Sequence, residues 1–358
     1  MRVILERRDD RPAWLSLASP LAAVTLTMIA GAMLFALLGK DPLAALKVFF
    51  IDPLGDGWAL QELAVKATPL ILIAVGLTLC YRSNTWNIGA EGQLVMGAVF
   101  GSWLALATHG TANGPWVLPA MLVLGVLGGM AWGLIPALLK ARLGVNEILT
   151  SLMLVYVAEL LLDYLVRGRW RDPQGFNFPQ SVSFEPEATM PILFGAGRLH
   201  IGFAIAVAVA LVAALLMARS LKGFEIRLAG EAPRAARFAG FGTARTTLLV
   251  FAVSGGLAGL AGIIEVAGPL GQLQPSISPG YGFTAIIVAF LGRLNPIGAL
   301  IAGLFLALTF IGGENAQIAM RIPLDVTRVF QGLLLFFVLG CDTFLLYRLR
   351  RVPNLRTA

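Results

Sequence analysis

The chain has 358 residues, of which 58% are hydrophobic and 13% are charged, and its mean hydropathy is +0.81. Ordinary globular domains have roughly 45–50% apolar and ~25% charged residues, so this composition excludes a soluble fold. The net charge of +7 is expected to reflect membrane topology, because Lys and Arg resist translocation and collect in cytoplasmic loops. We therefore expect a lipid bilayer, and no nucleic acid, among the partners.

Long runs without charged residues predict membrane-crossing helices, since ~20 apolar residues cross a ~30 Å hydrocarbon core. Leu199–Ala218 and Thr246–Ile264 are clear examples, and they flank a basic segment. The pattern predicts an all-α polytopic membrane protein with about ten spans, at residues 15–38, 60–81, 85–107, 116–138, 145–166, 199–218, 246–265, 281–292, 296–312 and 325–347. The eighth and ninth spans are short, so residues 281–312 form either two spans or a re-entrant hairpin.

The positions of Lys and Arg orient this arrangement, with both termini in the cytoplasm. We expect a cytoplasmic N-terminal segment (1–14), a transmembrane domain (15–347) and a cytoplasmic tail (348–358). The basic segment 219–245 then also lies on the cytoplasmic side.

Enzyme chemistry finds no support in the sequence. His109 and His200 are the two histidines, and neither has a cysteine or an acid pair nearby. The chain contains no GxSxG elbow and no GxxxxGK[ST] phosphate loop, so we expect no catalytic, cofactor or metal site and no ATP hydrolysis by this chain.

Ionisable residues within spans are candidates for function, because their burial in lipid is costly. Glu62 with Lys66, and Asp325 with Arg328, have the spacing of helical ion pairs. Glu91 differs, because it lies in the glycine-rich stretch SNTWNIGAEGQLVMGA, four residues after an asparagine. That pattern predicts an interrupted helix that lines a cavity; the alternative is a hydrogen-bonded acid that fixes helix packing. The candidate translocation path comprises Asn87, Glu91, Gln93 and Asn146.

Four stretches of the chain carry a family resemblance: NTWNIGAEGQLVMGA (84–98), GVNEILTSLMLVYVAELLLDYLV (144–166), GFEIRLAGEAPRAARFAGFG (223–242) and LNPIGALIAGLF (294–305). They resemble the permease subunit of bacterial ABC importers of the ribose and branched-chain amino acid type. Within that group they most resemble the nucleoside permeases that work with basic-membrane-protein lipoproteins. The resemblance runs from about residue 42 to residue 347.

The resemblance implies a multi-pass permease subunit of the bacterial cytoplasmic (inner) membrane. Its expected partners are a cytoplasmic ABC ATPase, a second permease copy or paralogue, and a periplasmic or lipoprotein solute-binding protein. The expected solute is a nucleoside or a simple sugar. Glu231-Ala232 and Val155-Tyr156 stand where the family often has other residues, so the identity of the solute stays open. The rival class is an ion-coupled secondary transporter; an integral membrane enzyme is less favoured.

In that family the segment matching 223–242 contains a coupling helix that docks on the ATPase. The local chemistry agrees, because Pro233 suits a first helical turn and Gly240 a helix end. Arg237 and Phe238 are of the types enriched at protein interfaces. The alternative is an ordinary basic loop. The expected coupling residues are Gly230, Glu231, Pro233, Arg234, Ala235, Ala236, Arg237 and Phe238.

Overall fold

A computed structural model of the chain describes residues 2–7, 13–111, 114–195, 197–323 and 325–352. Within these ranges the secondary structure includes thirteen α-helices, two short 3-10 helices (Asp52–Leu54 and Pro186–Ala188), one π-helical turn (Val266–Leu270) and one two-stranded antiparallel ladder. The helices are α1 (Ala13–Leu37), α2 (Pro42–Phe50), α3 (Gly57–Arg82), α4 (Ala90–Thr108), α5 (Val117–Leu143), α6 (Glu147–Arg167), α7 (Gly202–Arg219), α8 (Leu221–Glu231), α9 (Pro233–Phe238), α10 (Thr243–Glu265), α11 (Tyr281–Leu291), α12 (Pro296–Met320) and α13 (Asp325–Leu346). The strands are β1 (Arg2–Arg7) and β2 (Tyr347–Val352).

Eight helices in the described ranges are long and apolar enough to cross a membrane: α1, α3, α4, α5, α6, α7, α10 with its continuation to Leu270, and α12. The all-α polytopic membrane fold is thus confirmed. The expected span 281–292 needs correction, because α11 has 11 residues. At ~1.5 Å per residue it rises about 16 Å, half of a ~30 Å hydrocarbon core.

Local capping signals set several helix ends. Gly144 adopts a left-handed conformation (φ 66°) that ends α5, as glycine does without steric cost. Two residues later, the side chain of Asn146 accepts the N–H of Ile148 and begins α6. The connection between these two long helices is therefore short, and its own residues set where α5 ends and α6 begins.

The chain divides into two compact units, one formed by residues 54–308 and the other by residues 1–53 with 309–358. In the first unit α3 is the most buried long helix, and α4, α5 and α10 pack closely together. A Cβ added to Gly97 on α4 would lie 2.1 Å from the Cα of Gly259 on α10. The two backbones therefore touch, which is the packing that small residues permit between membrane helices.

The second unit contains α1, α2, α13 and the ladder. Its core includes Phe35, Phe49 and Phe330, whose rings pack with centroids 5.4–6.1 Å apart. β1 pairs with β2 in the register Arg2 to Val352, so the segment before α1 and the segment after α13 lie next to each other. The expected terminal segments fall partly outside the described residues, at positions 1, 8–12 and 353–358.

Candidate functional site: a polar cavity and a coupling segment

The segment before Glu91 is the connection between α3 and α4. Residues 83–89 are not helical, and α4 begins at Ala90 instead of the expected residue 85. Side chains satisfy the backbone of this segment: Ile88 donates its N–H to the Ser151 hydroxyl of α6 (3.2 Å). Irregular backbone is stable inside a membrane protein only where neighbouring protein or water supplies such partners.

Asn87 and Gln93 form a closed amide pair at this interruption. Asn87 Nδ2 donates to Gln93 Oε1 (2.9 Å), and Gln93 Nε2 donates to Asn87 Oδ1 (3.0 Å). Asn87 Nδ2 also donates to the Ser254 hydroxyl on α10 (3.1 Å). All three side chains are buried. Their placement favours packing for Asn87 and Gln93, because their amide groups bind each other and Ser254 and are closed to solvent.

Glu91 lies where the N-termini of two helices meet. It occupies the first turn of α4, and its carboxylate accepts the N–H of Gly282 at the start of α11. The Ser278 hydroxyl also bonds to this carboxylate and accepts the N–H of Tyr281 (2.9 Å). Helix N-termini carry partial positive charge, so both helices stabilise a carboxylate at this point.

The depth of this site follows from the geometry of α11. Beyond its C-terminal end, the carbonyl of Leu294 accepts the Nε–H of Arg82 (2.8 Å), the last residue of α3. That end of α11 therefore lies at the end of a membrane-spanning helix. The other end, with Glu91, lies about 16 Å away along the axis of α11.

An open cavity of about 450 Å³ borders Glu91. Its walls come from α4, from α6 and from the connection before α11, and they carry carboxyl and hydroxyl groups at membrane depth. The polar residues among them are Glu91, Tyr156, Glu159, Asp163, Ser276 and Ser278. Carboxylates and hydroxyls at this density suit a hydroxyl-rich ligand, because they both accept and donate hydrogen bonds.

Asn146, the fourth expected path residue, lies apart from this group. It caps the start of α6, about 20 Å along the helix axis from Glu159. Next to it, the Glu147 carboxylate pairs with Lys140 and accepts the backbone N–H of Trp86 (3.4 Å). The structure therefore brings Asn87 and Gln93 together, places Glu91 at the cavity, and puts Asn146 at the end of the span.

The basic segment folds as two short helices, α8 and α9. Pro233 occupies the first turn of α9, and Gly240 with φ +82° follows its end, so the expected helix boundaries are confirmed. Ala236 is buried, whereas Phe238 is 96% exposed. The other expected coupling residues on α9, and Glu231 before it, are exposed: Pro233, Arg234, Ala235 and Arg237.

Close contacts attach this segment to the membrane helices. A Cβ on Gly230 would lie 2.0 Å from the carbonyl oxygen of Arg82, so α8 touches the end of α3. Buried Glu225 accepts hydrogen bonds from Lys222 (2.7 Å) and from Thr246 on α10 (2.9 Å). The hydrogen bond from Lys222 is the main cause that lowers the pKa of Glu225 below its ordinary value. α8 therefore contacts both α3 and α10.

Two ion pairs involve residues singled out in the sequence. Asp325 and Arg328 pair as predicted (3.2 Å). The carboxylate of Glu62 binds Arg198 in a bidentate contact (2.8 and 2.6 Å). The planar guanidinium matches both carboxylate oxygens, and this geometry is stronger than a single ammonium contact. Within the described ranges no group of three or more His, Cys, Asp or Glu residues is arranged to hold a metal ion.

Comparisons with known proteins agree with this architecture. The family described as the permease component of branched-chain amino acid transport systems matches residues 59–339. The chain belongs to this permease family. It is 37% identical to a glucose ABC transporter permease protein of Haloferax volcanii, over 96% of this chain and 92% of the relative. It is 29% identical to a guanosine ABC transporter permease protein of Bacillus subtilis, over 89% and 92%, and 28% identical to a nucleoside ABC transporter permease protein of Lactococcus lactis, over 89% of each.

Family membership decides between the classes left open by the sequence. The chain is the permease subunit of an ABC transporter and a multi-pass protein of the cytoplasmic (inner) membrane. Subunits of this kind are not enzymes, so ATP hydrolysis belongs to a separate ATPase subunit, and a solute-binding protein is a further partner. The ion-coupled secondary transporter is thereby set aside.

Two residues of this region were not expected from the sequence. Ser254 binds Asn87, and Ser278 joins Glu91 to the start of α11. The available signals are weak: Ser254 precedes the glycine pair of an apolar span, and Ser278 precedes the Pro-Gly that leads into α11. Serine is common in both contexts for packing alone.

Proposed function

We propose that this permease conducts a nucleoside or a simple sugar, and that its route borders the Glu91 cavity. The supporting observation is the meeting of two helix N-termini at Glu91, beside an open cavity. Breaks of this kind are where transporters place their solute sites. Relatives named for glucose, guanosine and nucleosides add support.

The chemistry of the cavity favours a neutral solute rich in hydroxyl groups. The Glu159 carboxylate accepts hydrogen bonds from ribose or sugar hydroxyls, and the Tyr156 ring offers a surface for stacking. Asp163 is held by Arg167 (2.7 Å) on the same helix, so its charge is partly compensated. An anionic solute would be repelled by these carboxylates.

A second permease subunit, either a copy or a paralogue, completes the route in this proposal. The cavity opens on the face of α6 where Tyr156 (56%) and Leu160 (71%) are exposed. A partner subunit that covers this face turns an open cavity into a closed path. The solute-binding protein, periplasmic or a lipoprotein, delivers the solute at the opposite end from α8 and α9.

The coupling segment is proposed to dock on the ATPase from the cytoplasm. Both chain termini then lie in the cytoplasm as well. The exposed Phe238 provides the apolar anchor, and Arg234 and Arg237 provide charge. The contacts of Gly230 and Glu225 with α3 and α10 give the path by which ATP-driven motion reaches the spans.

Uptake by the reconstituted transporter tests the solute. The permease, its ATPase and its binding protein are placed in vesicles, and ATP-dependent uptake of labelled guanosine and glucose is measured. We expect uptake of one of them and its loss by several-fold in Glu159→Gln, while Glu187→Gln in the exposed connection before α7 has no effect. Uptake of neither solute, or equal rates in the two variants, would contradict the proposal.

Thiol labelling tests the route independently of the solute. In a background with Cys80 and Cys341 replaced by serine, Glu159→Cys and Ser276→Cys are expected to react with a small water-soluble thiol reagent. Val157→Cys is the control, because Val157 is exposed on the same helix but does not line the cavity. A change of rate in a trapped ATP-bound state is expected at positions 159 and 276. Protection of both positions in every state would remove the cavity from the route.

A further inference from the structure

A second groove, distinct from the Glu91 cavity, lies between α7 and α10. Its floor is formed by Leu79 of α3 and Ile226 of α8, its volume is about 600 Å³, and its lining is almost entirely apolar. Val212 and Leu216 form part of one wall, and Val253 part of the other. A nucleoside or a sugar would leave its polar groups without hydrogen-bond partners in such a groove.

The groove runs parallel to the membrane-spanning helices. Along α7 its lining extends from Ile205 to Ser220, which is about 22 Å at ~1.5 Å per residue. One end lies at Ser220 and Lys222, in the connection to α8 and its first turn, and the other lies at membrane depth. A lipid acyl chain has this direction in a bilayer.

The volume of the groove fits a small occupant. At about 600 Å³, it falls in the usual ~300–1,000 Å³ range of small-ligand sites. A docked helix of a partner protein is the alternative occupant, and the assembly readout below distinguishes the two.

Three basic residues lie near the end of the groove at Ser220. Lys222 lines the groove, and Arg219 directly precedes Ser220 in the sequence. Arg245, at the start of α10, is one of the cations that lower the pKa of Glu225. Glu225 pairs with Lys222, so three cations stand against one carboxylate, and the first turn of α8 adds the positive end of its dipole. This charge is complementary to a phosphate group.

From this shape and charge we infer that the groove binds one anionic phospholipid, with an acyl chain between α7 and α10 and its phosphate at Arg219, Lys222 and Arg245. The acyl chain gains little binding free energy in the groove over bulk lipid, because both surroundings are apolar. Selectivity comes from the cations, each of which favours an anionic headgroup by roughly 5-fold near a membrane surface. Assignment to the cytoplasmic leaflet rests on the proposed orientation of α8 and α9.

The test uses the purified transporter complex, equilibrated with vesicles of equal phosphatidylglycerol and phosphatidylcholine content and then analysed by native mass spectrometry. We expect one phosphatidylglycerol retained per permease chain, in several-fold excess over phosphatidylcholine. Val212→Trp fills the groove and is expected to abolish retention. Leu211→Trp is the matched control, because Leu211 (54% exposed) and Val212 (56%) are neighbours on α7 and Leu211 does not line the groove.

A second pair of substitutions tests the role of the basic residues. Arg219→Gln with Arg245→Gln is expected to reduce the excess of phosphatidylglycerol over phosphatidylcholine by at least 5-fold while some lipid is still retained. Equal retention of both lipids by the unmodified transporter, or unchanged retention in Val212→Trp, overturns the inference. Loss of subunit assembly in Val212→Trp without any change in retained lipid would identify the groove as a protein interface, which also overturns it.

Discussion

Truncation of Phe238 offers the sharpest test of ATPase coupling. The side chain is 96% exposed at the end of α9, so its removal leaves the fold of the permease intact. If the ring is buried on docking, its contribution is about 1.5–3 kcal/mol. At 1.4 kcal/mol per tenfold, Phe238→Ala should weaken binding of the ATPase by roughly 10- to 140-fold.

The assay compares two phenylalanines of the same chain. Phe178, in the connection between α6 and α7, is 64% exposed, and Phe178→Ala is the control. The Kd of the purified ATPase for each permease variant in nanodiscs is measured, together with the Tm of the permease alone. We expect a weaker Kd only for Phe238→Ala and an unchanged Tm for both. An unchanged Kd for Phe238→Ala would mean that Phe238 does not anchor α9 to the ATPase.

Three further predictions concern stability in detergent. Asn87→Ala leaves the Gln93 amide without its partner and should lower the free energy of unfolding by about 1–3 kcal/mol, read as a lower Tm; an unchanged Tm would mean that the pair contributes nothing. The pKa of Glu225 is lowered in the fold, so its stabilising contribution is present above its ordinary pKa of 4.5 and is lost as the pH falls through the folded value. Glu225→Gln should remove this part of the loss of stability at acid pH. Identical plots of Tm against pH for the variant and the unmodified protein would refute this prediction. Gly97→Ala places a Cβ 2.1 Å from the Cα of Gly259 and should lower the free energy of unfolding by about 1–3 kcal/mol. An unchanged Tm would contradict this prediction.

Features with a local cause were predictable from the sequence. Hydropathy identifies the spans, since the bilayer imposes the same length on each one independently. The start of α9 at Pro233 and its end before Gly240 follow from the backbone preferences of these two residues. The break before Glu91 was also predictable, because glycines flank an acid that would otherwise face lipid.

Features that depend on partners distant in sequence required the tertiary structure. The carboxylate of Glu62 binds the guanidinium of Arg198, 136 positions away, with two hydrogen bonds. Asn87 lies four residues before Glu91, yet one of its hydrogen-bond partners is Ser254, 167 positions away. Composition and periodicity thus determined that this chain is a helical membrane protein with a basic segment between two of its spans. The fold alone decided which polar groups face a cavity and which bind each other, because such pairing depends on how the helices meet.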